Sequence, residues 1–307
     1  VAESNQTHLN LDGGEGAGTL LVRRWPGAGD PVLYVHGATF PSALSVGYRF
    51  DGRSWSDHLQ RHGFDVWAFD FAGFGGSVRP AQMNAPADRN LPVGRAAEAA
   101  RQIGAVIDHI RRERDGAKVD LVAHSWGSTA AGRFAGDHAG AVGRLVLFGP
   151  IAQRQVGGLP SPDRIGAWRE VSVADQLQRF VEDVPAGHPP VLIEPDLAHW
   201  GPAYLATDPG AAGRTPPAVR IANGPQADIM AAMSGNLPYD PRRVLAPTLI
   251  VRGAWDHLCH DGDAAWLMNA LGAVEKADVV IPAATHLMHL EHGRDGLFAA
   301  TADWLAR

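Results

Sequence analysis

The sequence predicts an α/β fold, helices packed on a mostly parallel sheet, with a separate segment inserted late in the chain. Three observations lead there. Short apolar segments that read as buried strands alternate with segments that read as amphipathic helices. One apolar strand runs straight into a tight small-residue turn and then a helix. Finally, 13 of the chain's 22 prolines fall between Ile151 and Pro241, after which the strand and helix pattern returns. The expected organisation is a core over residues 1–150, an inserted lid over 151–241 and the rest of the core over 242–307.

The elements follow in order. Leu20 to Trp25, Val32 to Val35 and Val66 to Phe69 read as the first apolar strands. Trp55 to Arg61 is a short helix pattern with Ser54 as N-cap and Gly63 just past its end. From Val93 to Arg114, Ala97, Ala100, Ile103, Ile107 and Ile110 recur near helical spacing. Arg111, Arg112 and Arg114 at its end read as a solvated last turn that complements the helix dipole, not as a phosphate site. Val119 to Ala123 and Arg144 to Phe148 are further strands, separated by a small-residue helix pattern that begins near Trp126. Over the proline-rich stretch, long regular elements are not expected. Thr248 to Val251 and Val279 to Ile281 are the last strands, and Gly296 to Leu305 the last helix pattern.

Composition narrows the function classes. The 307 residues carry 27 Lys plus Arg against 33 Asp plus Glu, a formal charge of −6. That sign opposes the clustered basic surface that nucleic acid requires, so no nucleic-acid partner is expected. With 45% hydrophobic and 20% charged residues, the chain can bury a large core. Cys259 is the one cysteine, which rules out an intrachain disulfide and a thiolate metal cage. No run of about 18 consecutive apolar residues is found, which predicts a soluble chain without a membrane-spanning helix. Val1 to Ser4 does not resemble a signal peptide. A cytoplasmic location is the expectation, with export the alternative should a leader have been removed before Val1. Nothing in the sequence speaks to oligomeric state.

The densest chemical signal is Val119-Asp120-Leu121-Val122-Ala123-His124-Ser125-Trp126-Gly127-Ser128. A strand feeding a small-x-Ser-x-Gly turn and a helix is a nucleophile elbow, in which the tight turn leaves room only for small residues two before and two after the serine. Ala123 stands where Gly is more usual. Ala43-Leu44-Ser45-Val46-Gly47 matches the same five-residue pattern but lacks the preceding strand and following helix, and is read as a decoy. A serine hydroxyl needs a positioned base and a carboxylate to orient that base. Asp256 follows the strand Pro247 to Val251, and His286 follows the strand that ends at Ile281. Asp261 and Asp263 rank behind Asp256, being further from the strand end, and Phe148 to Gln153 holds no carboxylate. His289 and His292 repeat the spacing of His286, but a metal reading is set aside because Ser, Asp and His already account for the pattern. His124 and His36 are expected to be structural or to line the site, and His257 and His260 to lie in a loop.

These motifs, with His36-Gly37-Ala38-Thr39 after the third strand and Asp70-Phe71-Ala72-Gly73-Phe74-Gly75-Gly76-Ser77 after the next, resemble the α/β-hydrolase superfamily in its lid-bearing branch of esterases, lipases, aminopeptidases and carbon–carbon hydrolases. The likeness spans most of residues 18–307. It implies an oxyanion hole made by the backbone N–H groups of Ala38 and Trp126, and the start of a helix at Trp126 agrees with that role. Serine at the elbow disfavours the dehalogenase and epoxide-hydrolase subclasses, which use a carboxylate. His124 to Thr129 resembles the elbow of proline iminopeptidases, although Ala38-Thr39-Phe40 departs from their Gly-Pro-Gly. The expected activity is cofactor-independent cleavage of a small or medium carboxylic ester through an acyl-enzyme, with Ser125 as nucleophile, His286 as base and Asp256 as its orienting acid. Amide or carbon–carbon hydrolysis on the same triad is the alternative, and a non-catalytic receptor the distant one. Substrate contacts are expected from His36, Thr39, Trp168, Trp200 and Tyr204. Met230 and Met233 join Trp168, Trp200 and Tyr204 as lid residues that could line an acyl pocket, although side chains of this kind in a lid more often pack it onto the core. Glu170, Glu182, Asp183, Glu194 and Asp196 could hold a substrate amine but are mostly expected to be solvated.

Overall fold

The computed structural model describes residues 6–14, 18–193 and 197–307; Val1 to Ser4, Glu194 and Asp196 lie outside them. Strands β1 (Thr7–Asp12), β2 (Thr19–Trp25), β3 (Pro31–Val35), β4 (Asp65–Phe69), β5 (Val119–His124), β6 (Val142–Phe148), β9 (Thr248–Gly253) and β10 (Lys276–Ile281) form one sheet, in the order β1-β2-β4-β3-β5-β6-β9-β10. The six strands from β4 to β10 run parallel, and β2 pairs antiparallel with both β1 and β4. The mostly parallel α/β class is therefore as expected.

Period-two alternation divides the apolar side chains between two cores. Leu33, Val35, Leu121 and Ala123 face one core with α2 (Ala96–Glu113) and α3 (Trp126–Asp137). Val32, Tyr34 and Val122 face the other with α1 (Trp55–Arg61) and α8 (Arg294–Leu305). On α2, Ala96, Ala99, Ala100, Ile103, Ile107 and Ile110 are buried at helical spacing. Its terminal arginines bond to backbone carbonyls, Arg111 to Gly116 O and Arg112 to Asp108 O, which fits the dipole reading. Helix α1 has the expected bounds. Ser54 Oγ accepts from Asp57 N at 3.0 Å while Asp57 accepts from Ser54 N, a reciprocal cap.

Residues 151–241 add elements outside that sheet: the antiparallel pair β7 (Trp168–Ser172) and β8 (Ala218–Ala222), with α4 (Val173–Val181), α5 (Leu197–Leu205) and α6 (Gly224–Met233). None exceeds ten residues, in keeping with the proline spacing. Two elements were not legible. Strand β1 is polar and half exposed at the sheet edge, and α7 (Asp261–Ala270) is capped by His260, whose Nδ1 accepts from Gly262 N. No described helix is long and apolar enough to cross a membrane.

Candidate active site

Three strand ends bring the predicted residues together. β5 turns into α3 at Ser125, whose φ of 55° and ψ of −127° leave the ordinary regions. Such strain persists only where surrounding structure over-determines it. Here Ser125 N donates to Phe148 O at 2.8 Å, and Ser128 N donates back to Ser125 O at 2.9 Å. Gly127 is obligatory: a Cβ there would sit 2.4 Å from His36 O and 2.8 Å from Val35 O, both backbone. Gly127→Ala is expected to force the β3 loop outward, costing about 2 kcal/mol or more in urea unfolding. Displacing Ser125 from its partner should also lower turnover about 100-fold. The decoy behaves differently: Ser45 follows a single 3₁₀ turn, Ser42–Leu44, and its hydroxyl contacts backbone carbonyls.

The Ser125 Oγ lies 2.8 Å from His286 Nε2, and His286 Nδ1 lies 2.8 Å from Asp256 Oδ2. A carboxylate accepts, so Nδ1 carries a proton and Nε2 faces the serine as acceptor. The other oxygen of Asp256 accepts from Leu258 N at 2.8 Å and Cys259 N at 2.9 Å. Burial alone would raise the Asp256 carboxyl; the His286 ring and these two donors outweigh it, holding its pKa below the ordinary aspartate value. Asp261 is exposed and pairs with Arg252, while Asp263 pairs with Arg154. At the end of β6, Gly149 (φ +52°) leaves room for the relay, since a Cβ there would lie 2.9 Å from His286 Nδ1 and 3.0 Å from Asp256 Oδ2.

The loop bearing His286 is anchored by Glu291 and Thr285, which belong to no motif in the sequence, and by His124. Buried Glu291 accepts from Thr285 N and from the Thr285 hydroxyl, and Leu287 N donates to Thr285 Oγ1. His124 Nε2 donates to His286 O at 3.1 Å. His289 is buried beside His124 and Phe148, whereas His292 is exposed. His257 is a surface residue paired with Asp183.

Burial of these groups has a consequence for stability. It pushes His36 down to about 4, His289 to about 3 and His124 well below 6.5. Below pH 6.5 the unfolded chain therefore binds protons that the folded protein refuses, and this lowers stability as pH falls. Burial also pushes Glu291 up to about 7 and Asp120 to about 6. Their protons are held by the folded state, so their effect has the opposite sign until pH reaches the ordinary carboxylate range. Three histidines against two carboxyls leave a net loss, so the melting midpoint should fall gradually from about pH 6.5 to 4.5 and more steeply below that. A midpoint that stays level down to about pH 4.5 in a calorimetric series would contradict this balance.

A cavity of about 200 Å³ opens onto Ser125 and His286, walled by Gly37, Ala38, Thr39 and Phe40 from the core and by Arg169, Gln176, Arg179 and Phe180 from the 151–241 segment. Gln226, Ile229, Leu258 and Leu287 complete it with His124. The loop after β3 crosses directly over the serine, a Cβ on Gly37 falling 3.3 Å from Ser125 Cβ. Neither the Ala38 nor the Trp126 backbone N–H donates to a described protein acceptor.

Of the residues expected to touch substrate, Thr39 lines this cavity and the others do not. His36 is fully buried under the loop, accepting from Phe71 N at Nε2 and packed edge-on against Phe71 and Phe74. Trp168 donates to Ala85 O and stacks on Arg220. Trp200 donates to Leu44 O, and Tyr204 stacks on Trp200 inside the core. These aromatic side chains hold the segment to the sheet domain. Met230 and Met233 are also absent from the wall, where α6 presents Gln226 and Ile229 instead. Asp228 on α6 binds the elbow helix, accepting from the Trp126 indole at 3.0 Å. Glu170 is held by Arg214 and Arg220, and Glu182 and Asp183 by Arg179, so none of the three faces the cavity.

A family model described as "Serine aminopeptidase, S33" matches residues 53–293. The chain belongs to this family of serine hydrolases, within the α/β-hydrolase superfamily. The hydrolase resembles solved structures throughout its length. An esterase from Exiguobacterium antarcticum is 18% identical with a TM-score of 0.68, the match covering 98% of this chain and 100% of that one. A serine hydrolase involved in carbazole degradation is 20% identical, TM-score 0.64, with 98% and 99% covered. E-2-(Acetamidomethylene)succinate hydrolase is 19% identical, TM-score 0.64, with 99% and 100% covered. At these identities the likeness speaks for fold. No curated protein sequence matches.

Proposed function

We propose that the hydrolase cleaves a small carboxylic ester through an acyl-enzyme, without a cofactor. The observation that carries this reading is the unbroken hydrogen-bond series from Ser125 Oγ through His286 to Asp256 Oδ2, at 2.8 Å per step. Ser125 attacks the carbonyl carbon while His286 Nε2 takes its proton, Asp256 stabilises the imidazolium, and the proton returns to the leaving alkoxide as the C–O bond breaks. Water, deprotonated by the same imidazole, then releases the acid. The N–H groups of Ala38 and Trp126 are the donors for the oxyanion, the second of them at the start of α3. In this reading residues 151–241 serve as a lid that roofs the cavity.

Aminopeptidase action, which the family description suggests, has less support. A substrate ammonium needs a buried counter-charge, yet the cavity wall carries two guanidinium groups and no Asp or Glu among its described residues. The test is a panel of esters, lactones, amino-acid amides and vinylogous diketones, assayed with wild type and a Ser125 variant side by side. Ester turnover that depends on Ser125, with fast fluorophosphonate labelling of the same residue, supports the reading. Faster turnover of amides or diketones reassigns the chemistry, and stoichiometric binding without product marks a receptor.

A further inference from the structure

The geometry points to a substrate that carries a carboxylate in addition to its scissile carbonyl, bound by Arg169 and Arg179 in the roof of the cavity. This rests on the ester-hydrolase reading and names the substrate class. Arg169 projects from β7 into the wall of the cavity, and Arg179 from α4. Arg169 bonds through Nη1 to Asn223 Oδ1 at 2.8 Å, and Asn223 is itself held through Nδ2 by Ile165 O at 2.7 Å. The guanidinium is thus oriented by a neutral amide, and among the described residues it has no ion pair.

Among the described residues most other buried or half-buried arginines are ion-paired, the exceptions Arg111 and Arg144 not lining the cavity. Arg23 meets Asp70 at 2.8 Å, Arg95 meets Asp228 at 2.5 Å, and Arg252 meets Asp278 at 3.0 Å. A guanidinium stays charged at any working pH, and withdrawing it from water without an anion is costly. A group held in that state beside a cavity has its balancing charge supplied by what enters the cavity. Arg179 adds a second donor: its Nη1 is engaged by Glu182 and Asp183, while its buried Nη2 has no partner. Planar N–H groups of this kind match a carboxylate, with charge-assisted bonds. Gln176, whose amide is tied to Thr39, lies in the same wall and offers no competing charge. The cavity of about 200 Å³ is at the small end for ligand sites, which favours a short-chain acid over a fatty one.

The experiment compares matched esters. Monoethyl succinate and monoethyl glutarate place the carboxylate on the acyl side, acetylglycolate places it on the alcohol side, and ethyl butyrate, ethyl valerate and ethyl acetate are neutral partners. Wild type should favour at least one anionic ester by about tenfold or more in kcat/KM, chiefly through KM, and Arg169→Met should abolish that preference. Arg169→Lys, which keeps the charge but not the planar fork, should retain part of it. Calorimetric binding of glutarate to wild type, weakened about 10- to 100-fold in Arg169→Met, tests the site without relying on turnover or on the variant's activity. Ser125-dependent turnover with no preference for any anionic ester, together with no glutarate binding by wild type, overturns this inference and leaves the hydrolase reading intact. Glutarate binding with no ester turnover supports this site and counts against ester hydrolysis.

Discussion

Ser125→Ala should lower ester turnover by about 10⁴- to 10⁶-fold while leaving the melting midpoint near that of wild type. The size follows from the chemistry. Without Oγ no acyl-enzyme can form, and what is left is the oxyanion donors acting on a water. The fold should hold because Ser125 does its structural work through its backbone, donating to Phe148 O and accepting from Ser128 N, and alanine keeps both bonds. Residual activity measured with active-site-titrated enzyme is the readout. Turnover within tenfold of wild type would mean that another nucleophile does the work.

Asp256→Asn is expected to cost about 10³- to 10⁴-fold in kcat. The carboxylate accepts from His286 Nδ1, which keeps the proton on that nitrogen and leaves Nε2 free to receive the serine's. An asparagine that turns its NH₂ group toward Nδ1 makes that nitrogen the acceptor and moves the proton to Nε2, where it faces Ser125 and blocks the transfer. Leu258 N and Cys259 N, which both donate to Asp256 Oδ1, favour that orientation because they require an oxygen on their side. Asp261→Asn, at an exposed side chain at the start of α7, is the comparison and should stay within about twofold, as surface changes usually do. Equal losses in the two variants would reassign the orienting carboxylate.

Much of this was legible along the chain, for reasons that are local. The bounds of α1 follow from Ser54 and Asp57, a cap that needs three residues and no tertiary partner. Ser125 was distinguished from the decoy Ser45 because a buried strand before it and small residues after it are properties of neighbours in sequence. His286 and Asp256 stood out because parallel strands end on the same edge of a sheet, so residues just past β9 and β10 fall near the residue just past β5.

The sheet class, the elbow and the three residues that meet there are thus readable along the chain, since strand periodicity and chain order constrain them before any packing is known. The cavity is a product of packing between distant elements. Trp168, Trp200 and Tyr204 are large enough to shape a pocket, yet apolar surface gains by leaving water, and they pack where residues 151–241 meet the sheet and its helices, Trp200 and Tyr204 fully buried and Trp168 partly so. Arg169, Arg179 and Gln176 took the wall instead, through the pairing of β7 with β8 and the placement of α4 over the loop after β3. No local pattern encodes that placement, because it depends on which faces of distant elements are left to cover one another.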